Sequence, residues 1–324
     1  MVNYSDILAA YSRVKKYKNP TFLQYSGTLS RMTGNHNYLK PENLQVTGSF
    51  KLGGAINSIF NLTDEQKKKG VVTCSAGNWA QGVAYASRIL KIRSVIVMAE
   101  NASQTKINAT RGYGAEVIIY GRNSNDVINK SMEIAKTEDL TLLNPFEDDY
   151  LIAGHGTIGL EVMKEKPDTE VVFCPLGGGA LISGIALAIK SKNSKVKVIG
   201  VQPENANAMW LSLKQNSIIE KENVNTIADG LAVKKPGIKP FNIVQKYVDD
   251  VVLVTEDEIK KAVVFLLERA KLLVEPSGAV SVAAVISNQL NIKDKEVVAI
   301  LSGGNIDLGI LNQILKEEIL SIKK

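Results

Sequence analysis

The sequence predicts an α/β fold of two open, mostly parallel twisted sheets with helices on both faces. Two observations carry that expectation. Short, wholly apolar runs recur along the chain, among them VVTCS (71–75), SVIVMA (94–99), EVVFCPL (170–176) and EVVAILS (296–302). Each lies beside a stretch of helical periodicity, and strands without polar alternation belong to parallel sheets covered on both sides. The alternation also comes in two blocks, one from residue 71 to 146 and one from 156 to the end.

Taken in order, residues 1–20 read as a helix with a polar surface, with Ser5 or Asp6 as its cap. A short helix follows over 28–34 and a turn over 35–37; 38–45 is a strand broken by Pro41. An amphipathic helix runs from about Gly53 to Phe60. The first block holds strands at 71–75, 94–99, 115–121 and 141–146, with helices at 78–90, 103–113 (capped by Ser103) and 124–138. The second holds helices at 156–164, 180–190, 206–215, 256–273 and 277–290, with strands at 170–176, 196–203, 251–255 and 296–302. Residues 216–249 show no regular pattern, and a closing helix runs from Asn305 to the end.

Composition narrows the function. The 324 residues are 45% hydrophobic and 22% charged, ordinary for a globular protein with a large core. Net charge is +6 with both signs mixed along the chain. The densest basic run, residues 67–69, is bordered by Asp64 and Glu65 and reads as a solvated helix end. Only 6% of residues are aromatic, so a nucleic-acid platform is not expected. No apolar run reaches the length of a membrane span, and MVNYSDILAA is too polar for a signal peptide. Cys74 and Cys174 lie in strands without CxxC spacing, which predicts reduced core residues in a cytoplasmic protein and no zinc site.

Four segments point to one site. TGSFKLGGA (47–55) places Lys51 among glycines, and CSAGN (74–78), PLGGGALISG (175–184) and LSGGNID (301–307) each read as a strand ending in a polar turn. In open parallel sheets ligands bind beyond the carboxyl ends of the strands. Gly177, Gly178, Gly179 and Ala180 end a strand and open a helix, where consecutive amides suit a phosphate. There is no GxxxxGK[ST] and no GxGxxG with a following acid, so neither a P-loop nor a dinucleotide fold is expected. A phosphate-bearing cofactor beside a desolvated lysine suggests a Schiff base.

At this point the chain resembles a family. YLKPENLQVTGSFKLGGA, SAGNWAQG, ATRGYGAEV, IAGHGTIGLE, GGGALISG, EPSGA and SGGNID together look like the fold-type II pyridoxal-phosphate enzymes, of tryptophan synthase β-like fold. The nearest group is the threonine/serine dehydratases, with serine racemase close by, in a short form without a regulatory domain. The likeness runs from about residue 28 to 312. It implies pyridoxal 5′-phosphate as cofactor and a large domain of residues 1–70 plus 149–324. A small domain of 71–148 and an active site in the cleft between the two complete that expectation.

By that likeness Lys51 anchors the cofactor and moves the substrate's Cα proton. Phe50 packs on the cofactor ring, Asn78 bonds its hydroxyl, and Ser302 faces its nitrogen. Gly177, Gly178, Gly179, Ala180 and Leu181 donate amides to the phosphate. Ser75, with the N–H groups of Asn78 and Trp79, holds the substrate carboxylate. The reaction implied is elimination of water from L-threonine, and from L-serine, leaving a 2-oxo acid and ammonia. A homodimer or homotetramer is implied, with no nucleic-acid or membrane partner.

Departures from the family pattern refine this. Trp79 stands where the family has histidine, and its indole could narrow the pocket. His155 stands where glutamine is commoner, and is read as packing at a helix start; His36 is read as exposed in a turn. Racemases of the group carry a serine where this chain has Ala76, which cannot carry a proton, so dehydration is expected over racemisation. The racemase-like cation site maps to Gln202 and Ala208, with Glu204 displaced, so no metal is expected. The alternatives of the same fold are a serine racemase and a hydroxyaspartate dehydratase. The latter would need an extra Arg or Lys at the pocket, which the sequence cannot place.

Overall fold

Asn3 begins the first helix. Its side chain accepts from the amides of Ser5 and Asp6, and Asp6 bonds back to the Asn3 N–H, a capping box. Helix α1 (Tyr4–Val14) is shorter than the expected 1–20 and capped two or three residues earlier. The computed structural model describes residues 1–322. After α1 come β1 (Gln24–Tyr25), α2 (Gly27–Thr33), β2 (His36–Pro41), α3 (Lys51–Phe60) and α4 (Asp64–Lys69). The first alternating block forms β3 (Val71–Cys74), α5 (Asn78–Ile89), β4 (Ser94–Met98), α6 (Gln104–Gly112), β5 (Glu116–Ile119), α7 (Ser124–Thr137) and β6 (Thr141–Leu142). The second forms α8 (Asp149–Glu165), β7 (Val171–Pro175), α9 (Ala180–Lys192), β8 (Lys197–Pro203), α10 (Ala208–Gln215), α11 (Ile238–Tyr247), β9 (Asp250–Val254), α12 (Glu256–Phe265), α13 (Pro276–Ser287), β10 (Glu296–Leu301) and α14 (Leu308–Ile322). The last two residues of the expected closing helix, 323–324, lie outside the described residues.

Two sheets result. One has six strands in the order β1-β2-β10-β7-β8-β9, the other four in the order β5-β4-β3-β6. Every pairing is parallel except β1 with β2. Register is in phase across the large sheet: Val298 of β10 sits opposite both Tyr38 of β2 and Val172 of β7. Fully buried Val, Ile and Ala dominate the central strands, as a sheet covered on both faces requires.

Several boundaries differ from expectation for identifiable reasons. His36 and Asn37 extend β2 instead of forming a turn, because β10 pairs with them from Glu296 onward. His36 is exposed as expected. Helix α3 starts at Lys51, two residues early. Helix α8 starts at Asp149, seven residues early, because Asp148 accepts from the Tyr150 amide. Helix α11 lies inside the stretch read as irregular; Pro240 is in its first turn, where a missing N–H costs nothing. Helix α12 ends at Phe265, widens into a π-type turn (Leu266–Ala270) and stops at Lys271 with φ +60.

The site depends on how closely three helices approach. A Cβ on Gly154 of α8 would stand 2.5 Å from the Gly53 carbonyl of α3. Near the same height Gly156 of α8 meets Gly184 of α9, where a Cβ would lie 2.9 Å from the Gly184 carbonyl. The glycines of AGHGTIG thus let backbones touch, bringing the helix headed by Lys51 and the helix headed by the Gly-rich turn onto one support.

Candidate active site

The four segments picked from the sequence converge. Ser75 and Asn78 lie just past β3, the 177–180 turn just past β7, and Ser302 just past β10. Lys51 is held over them by direct stitching. The Phe50 N–H donates to the Ser302 carbonyl at 2.9 Å, Ser49 pairs with Gly303, and the Asn305 amide donates to the Thr47 carbonyl at 2.8 Å. Gly48, at φ +69, passes so close to Asn305 that a side chain there would collide with it. These contacts enclose a cavity of about 860 Å³, lined by Phe50, Lys51, Ser75, Asn78, the 177–181 turn and Ser302 among others.

Protein around Lys51 removes water from its ammonium and lowers its pKa to about 8, while the Glu275 carboxylate pulls the other way. Its Nζ stands 4.9 Å from the Phe50 ring centre and 5.8 Å from that of Phe146. At the head of α9, Gly179 adopts φ +98 and no side chain caps the helix among the described residues. That leaves first-turn amides at the positive end of a thirteen-residue helix. The Ser302 hydroxyl is buried and donates to the Ser277 carbonyl at 3.4 Å. Ser75 Oγ accepts from the Gly77 N–H at 3.2 Å, which shapes the turn ahead of α5.

A desolvated amine, an uncapped helix head, an aromatic wall and a buried hydroxyl in one cavity fit an aromatic aldehyde that carries a phosphate. Pyridoxal phosphate has that chemistry, so the residues present fit it.

Four sequence-derived residues behave in ways their identity alone did not reveal. Asn78 is held from two sides: its amide donates to Glu275 Oε1 at 2.6 Å, and its carbonyl oxygen accepts from Asn305 at 2.8 Å. The Trp79 indole turns into the core, 3% exposed, donating to Thr73 Oγ1 at 2.9 Å. His155 lies within α8 instead of at its start, fully buried and edge-on to Phe50 with ring centres 4.8 Å apart. Among the described residues neither ring nitrogen has a hydrogen-bond partner of normal geometry, and burial together with the Lys51 charge pushes its pKa well down, with the nearby Ala180 backbone pulling the other way. Gln202 spends its side-chain amide on the Ala206 carbonyl and the Trp210 N–H. Among the described residues no group of three His, Cys, Asp or Glu is arranged to hold a metal ion.

Sequence reasoning missed two charged residues of the cavity, Glu275 and Lys106. Glu275 stood inside the EPSGA motif but was given no role. It is buried, and its pKa is raised to about 7, chiefly by desolvation and then by the charge of Asp229. Lys106, on the polar helix α6, pairs with Asp229 at 2.8 Å. No motif marked Lys106, because the two partners are 123 positions apart.

Known proteins agree with this geometry. A family model described as "Pyridoxal-phosphate dependent enzyme" matches residues 14–303. An L-threonine ammonia-lyase of Thermotoga maritima is 48% identical over 320 residues, covering 99% of this chain and 80% of that protein. The processed form of threonine deaminase isoform 2 from Solanum lycopersicum superposes with a TM-score of 0.93 at 38% identity, covering 97% of this chain and 86% of that one. Maize serine racemase gives the same TM-score at 34% identity, covering 100% of this chain and 99% of that one. With the cavity, the lysine and the family match in agreement, this chain belongs to the pyridoxal-phosphate-dependent enzymes.

Proposed function

We propose that this chain is a threonine ammonia-lyase, converting L-threonine to 2-oxobutanoate and ammonia, and L-serine to pyruvate. The near full-length identity to a protein named for that activity carries the reading. Pyridoxal phosphate, when bound, supplies an electron sink conjugated to the substrate's nitrogen, which acidifies Cα and weakens the bond to the β-hydroxyl.

The chain's own residues do the rest. Lys51 anchors the cofactor and, once released, accepts the Cα proton at Nζ; its lowered pKa of about 8 keeps a useful neutral fraction near neutral pH. Phe50 would lie against the cofactor ring. The amides of Gly177, Gly178, Gly179, Ala180 and Leu181 would hold the phosphate, and Ser302 would offer the ring nitrogen a hydroxyl that does not force protonation. Ser75 and the amides of Asn78 and Trp79 hold the substrate carboxylate at the head of α5. The indole of Trp79, buried against Thr73, leaves only its backbone for this task. The ring hydroxyl meets Asn78, which Glu275 and Asn305 hold in place.

Likeness to maize serine racemase raises racemisation as a second reading. Ala76 lines the cavity with a methyl group, so no proton donor stands at that position. Residues 71–148 form a small domain with the site in the cleft between it and the rest, and the enzyme works as a homo-oligomer in the cytoplasm. In keeping with that compartment, both cysteines are free, and among the described residues no helix is long and apolar enough to cross a membrane.

Protein purified with its cofactor should absorb at about 410–420 nm, a property of the bound aldehyde, and release 2-oxobutanoate from L-threonine. Lys51→Ala should lose the band and lower turnover by about 10³-fold or more. D-serine formed at a rate comparable to pyruvate would overturn the assignment in favour of a racemase.

A further inference from the structure

The cavity contains more charge than the reaction above uses. Among the described residues three cations line it: Lys51, Lys106 and Arg122. Arg122 is exposed and turned to Glu100 at 3.1 Å. Lys106 differs, since its side chain is only 20% exposed and meets Asp229 Oδ2 at 2.8 Å. Glu275 and Asp307 add to the negative field at its ammonium.

Asp229 is itself fixed. Its other oxygen accepts from the Gly230 N–H at 2.8 Å, and that same N–H reaches Ser277 Oγ at 2.9 Å. The Asp229–Leu231 turn packs against the Gly-rich loop, where a Cβ on Gly177 would lie 3.3 Å from the Gly230 carbonyl. The pair therefore spans the cavity from α6, on the four-stranded sheet, to a turn seated on the loop beyond β7.

We propose that the Lys106–Asp229 pair sets the charge of the side chain this site accepts, admitting an uncharged β-substituent and refusing a β-carboxylate. The inference rests on the proposed elimination reaction. Lys106 is the cation a dicarboxylic hydroxy-amino acid would seek, and Asp229 occupies it. A β-carboxylate entering the cavity would have to displace Asp229 and then lie beside its negative charge. Discrimination by an opposing charge of this kind is strong, because it penalises the wrong ligand without touching the right one. Removing the charge of Asp229 frees Lys106 to hold that second carboxylate.

The reaction gained is 3-hydroxyaspartate to oxaloacetate and ammonia. The Cα proton and the β-hydroxyl leave together as water. One water returns in hydrolysis of the carbon–nitrogen bond, so ammonia is the only net loss besides the oxo acid.

Wild type, Asp229→Asn, Lys106→Met and the double variant are compared as holoenzymes on L-threonine and on L-threo-3-hydroxyaspartate. Asp229→Asn should raise kcat/KM for hydroxyaspartate relative to threonine by about tenfold or more, and the double variant should return the ratio to the wild-type level. A pair that merely staples the cleft would change both substrates by the same factor in every variant, and that result overturns the proposal. A second readout needs no turnover. Calorimetry with L-malate, a dicarboxylate without an amine to react, should show affinity about tenfold higher in Asp229→Asn and lost again in the double variant. Equal malate affinity in wild type and Asp229→Asn also overturns it. Failure of the wild type on threonine would count against the proposed function, and the malate titration would still decide the role of the pair.

Discussion

Glu275 shows most clearly how a single residue acquires its property from its surroundings. Its carboxyl is lifted from an ordinary value of 4.5 to about 7, first by burial and second by the negative charge of Asp229, against the pull of Asn78, Lys106 and the Asn305 backbone. A folded-state pKa above the unfolded one means that folding favours the protonated form. The stabilisation is fully present below pH 4.5 and is lost as pH rises through about 7. A shift of this size corresponds to about 3 kcal/mol. Glu275→Gln keeps an acceptor for Asn78 and cannot ionise. Urea unfolding of the cofactor-free protein should therefore lose less stability between pH 4.5 and 7 in the variant than in wild type; parallel profiles would show that burial does not hold the proton. Lys51 carries the opposite sign. Its pKa falls from 10.5 to about 8, so its contribution is present above 10.5 and lost as pH falls through about 8.

Among the elements, the contact of α3 with α8 is the one on which Lys51 depends. Helix α3 and the later part of α8 were legible from their periodicity, and the glycines were visible, but not that Gly154 lies in α8 and touches Gly53. A Cβ at Gly154 would meet three backbone atoms of α3 at 2.5–2.9 Å, and backbone cannot rotate out of the way. Gly154→Ala should cost about 1–3 kcal/mol by forcing α3 outward, and should lower kcat because Lys51 moves with the helix. Thermal melts and steady-state rates check this together; a variant with wild-type Tm and kcat would show that the helices separate without strain. The elements misread in the sequence are instructive in the same way. Helix α11 was hidden by the Asn-, Gly-, Pro- and Lys-rich stretch around it, and its apolar face becomes evident only where Phe241 and Val244 pack beneath α9. The early start of α8 rests on one capping aspartate within an acidic loop, where composition marks no boundary.

At the scale of the whole molecule, a buried ionic cluster ties the N-terminal segment to α8. Lys40, 0% exposed, bonds the Thr21 carbonyl at 2.6 Å, Glu161 at 2.9 Å and Glu165 at 3.3 Å. Lys18 joins Glu161 to the fully buried Glu42 at 3.3 and 3.5 Å. Replacing one member strands its partners in low dielectric, so Lys40→Met should destabilise the fold by about 3–5 kcal/mol, measurable as a lowered urea midpoint. Little change would mean that water reaches Glu161 and Glu165 and the cluster is effectively at the surface. None of these charges looked special in the sequence, where each is one of many Lys and Glu.

The sequence alone determined the residues whose placement rests on local chemistry. A lysine opening a helix, glycines between strand and helix, and a hydroxyl beyond the last strand act through their own backbone neighbourhood, and short motifs record that neighbourhood directly. The same motifs determined the family and the order of the elements. Only the tertiary structure decided what depends on distance through space. It turned the Trp79 indole away from the site, raised the Glu275 pKa to about 7, and set Lys106 against Asp229. Desolvation and Coulomb energy are set by what is packed around a group, and packing brings together residues that the chain keeps far apart.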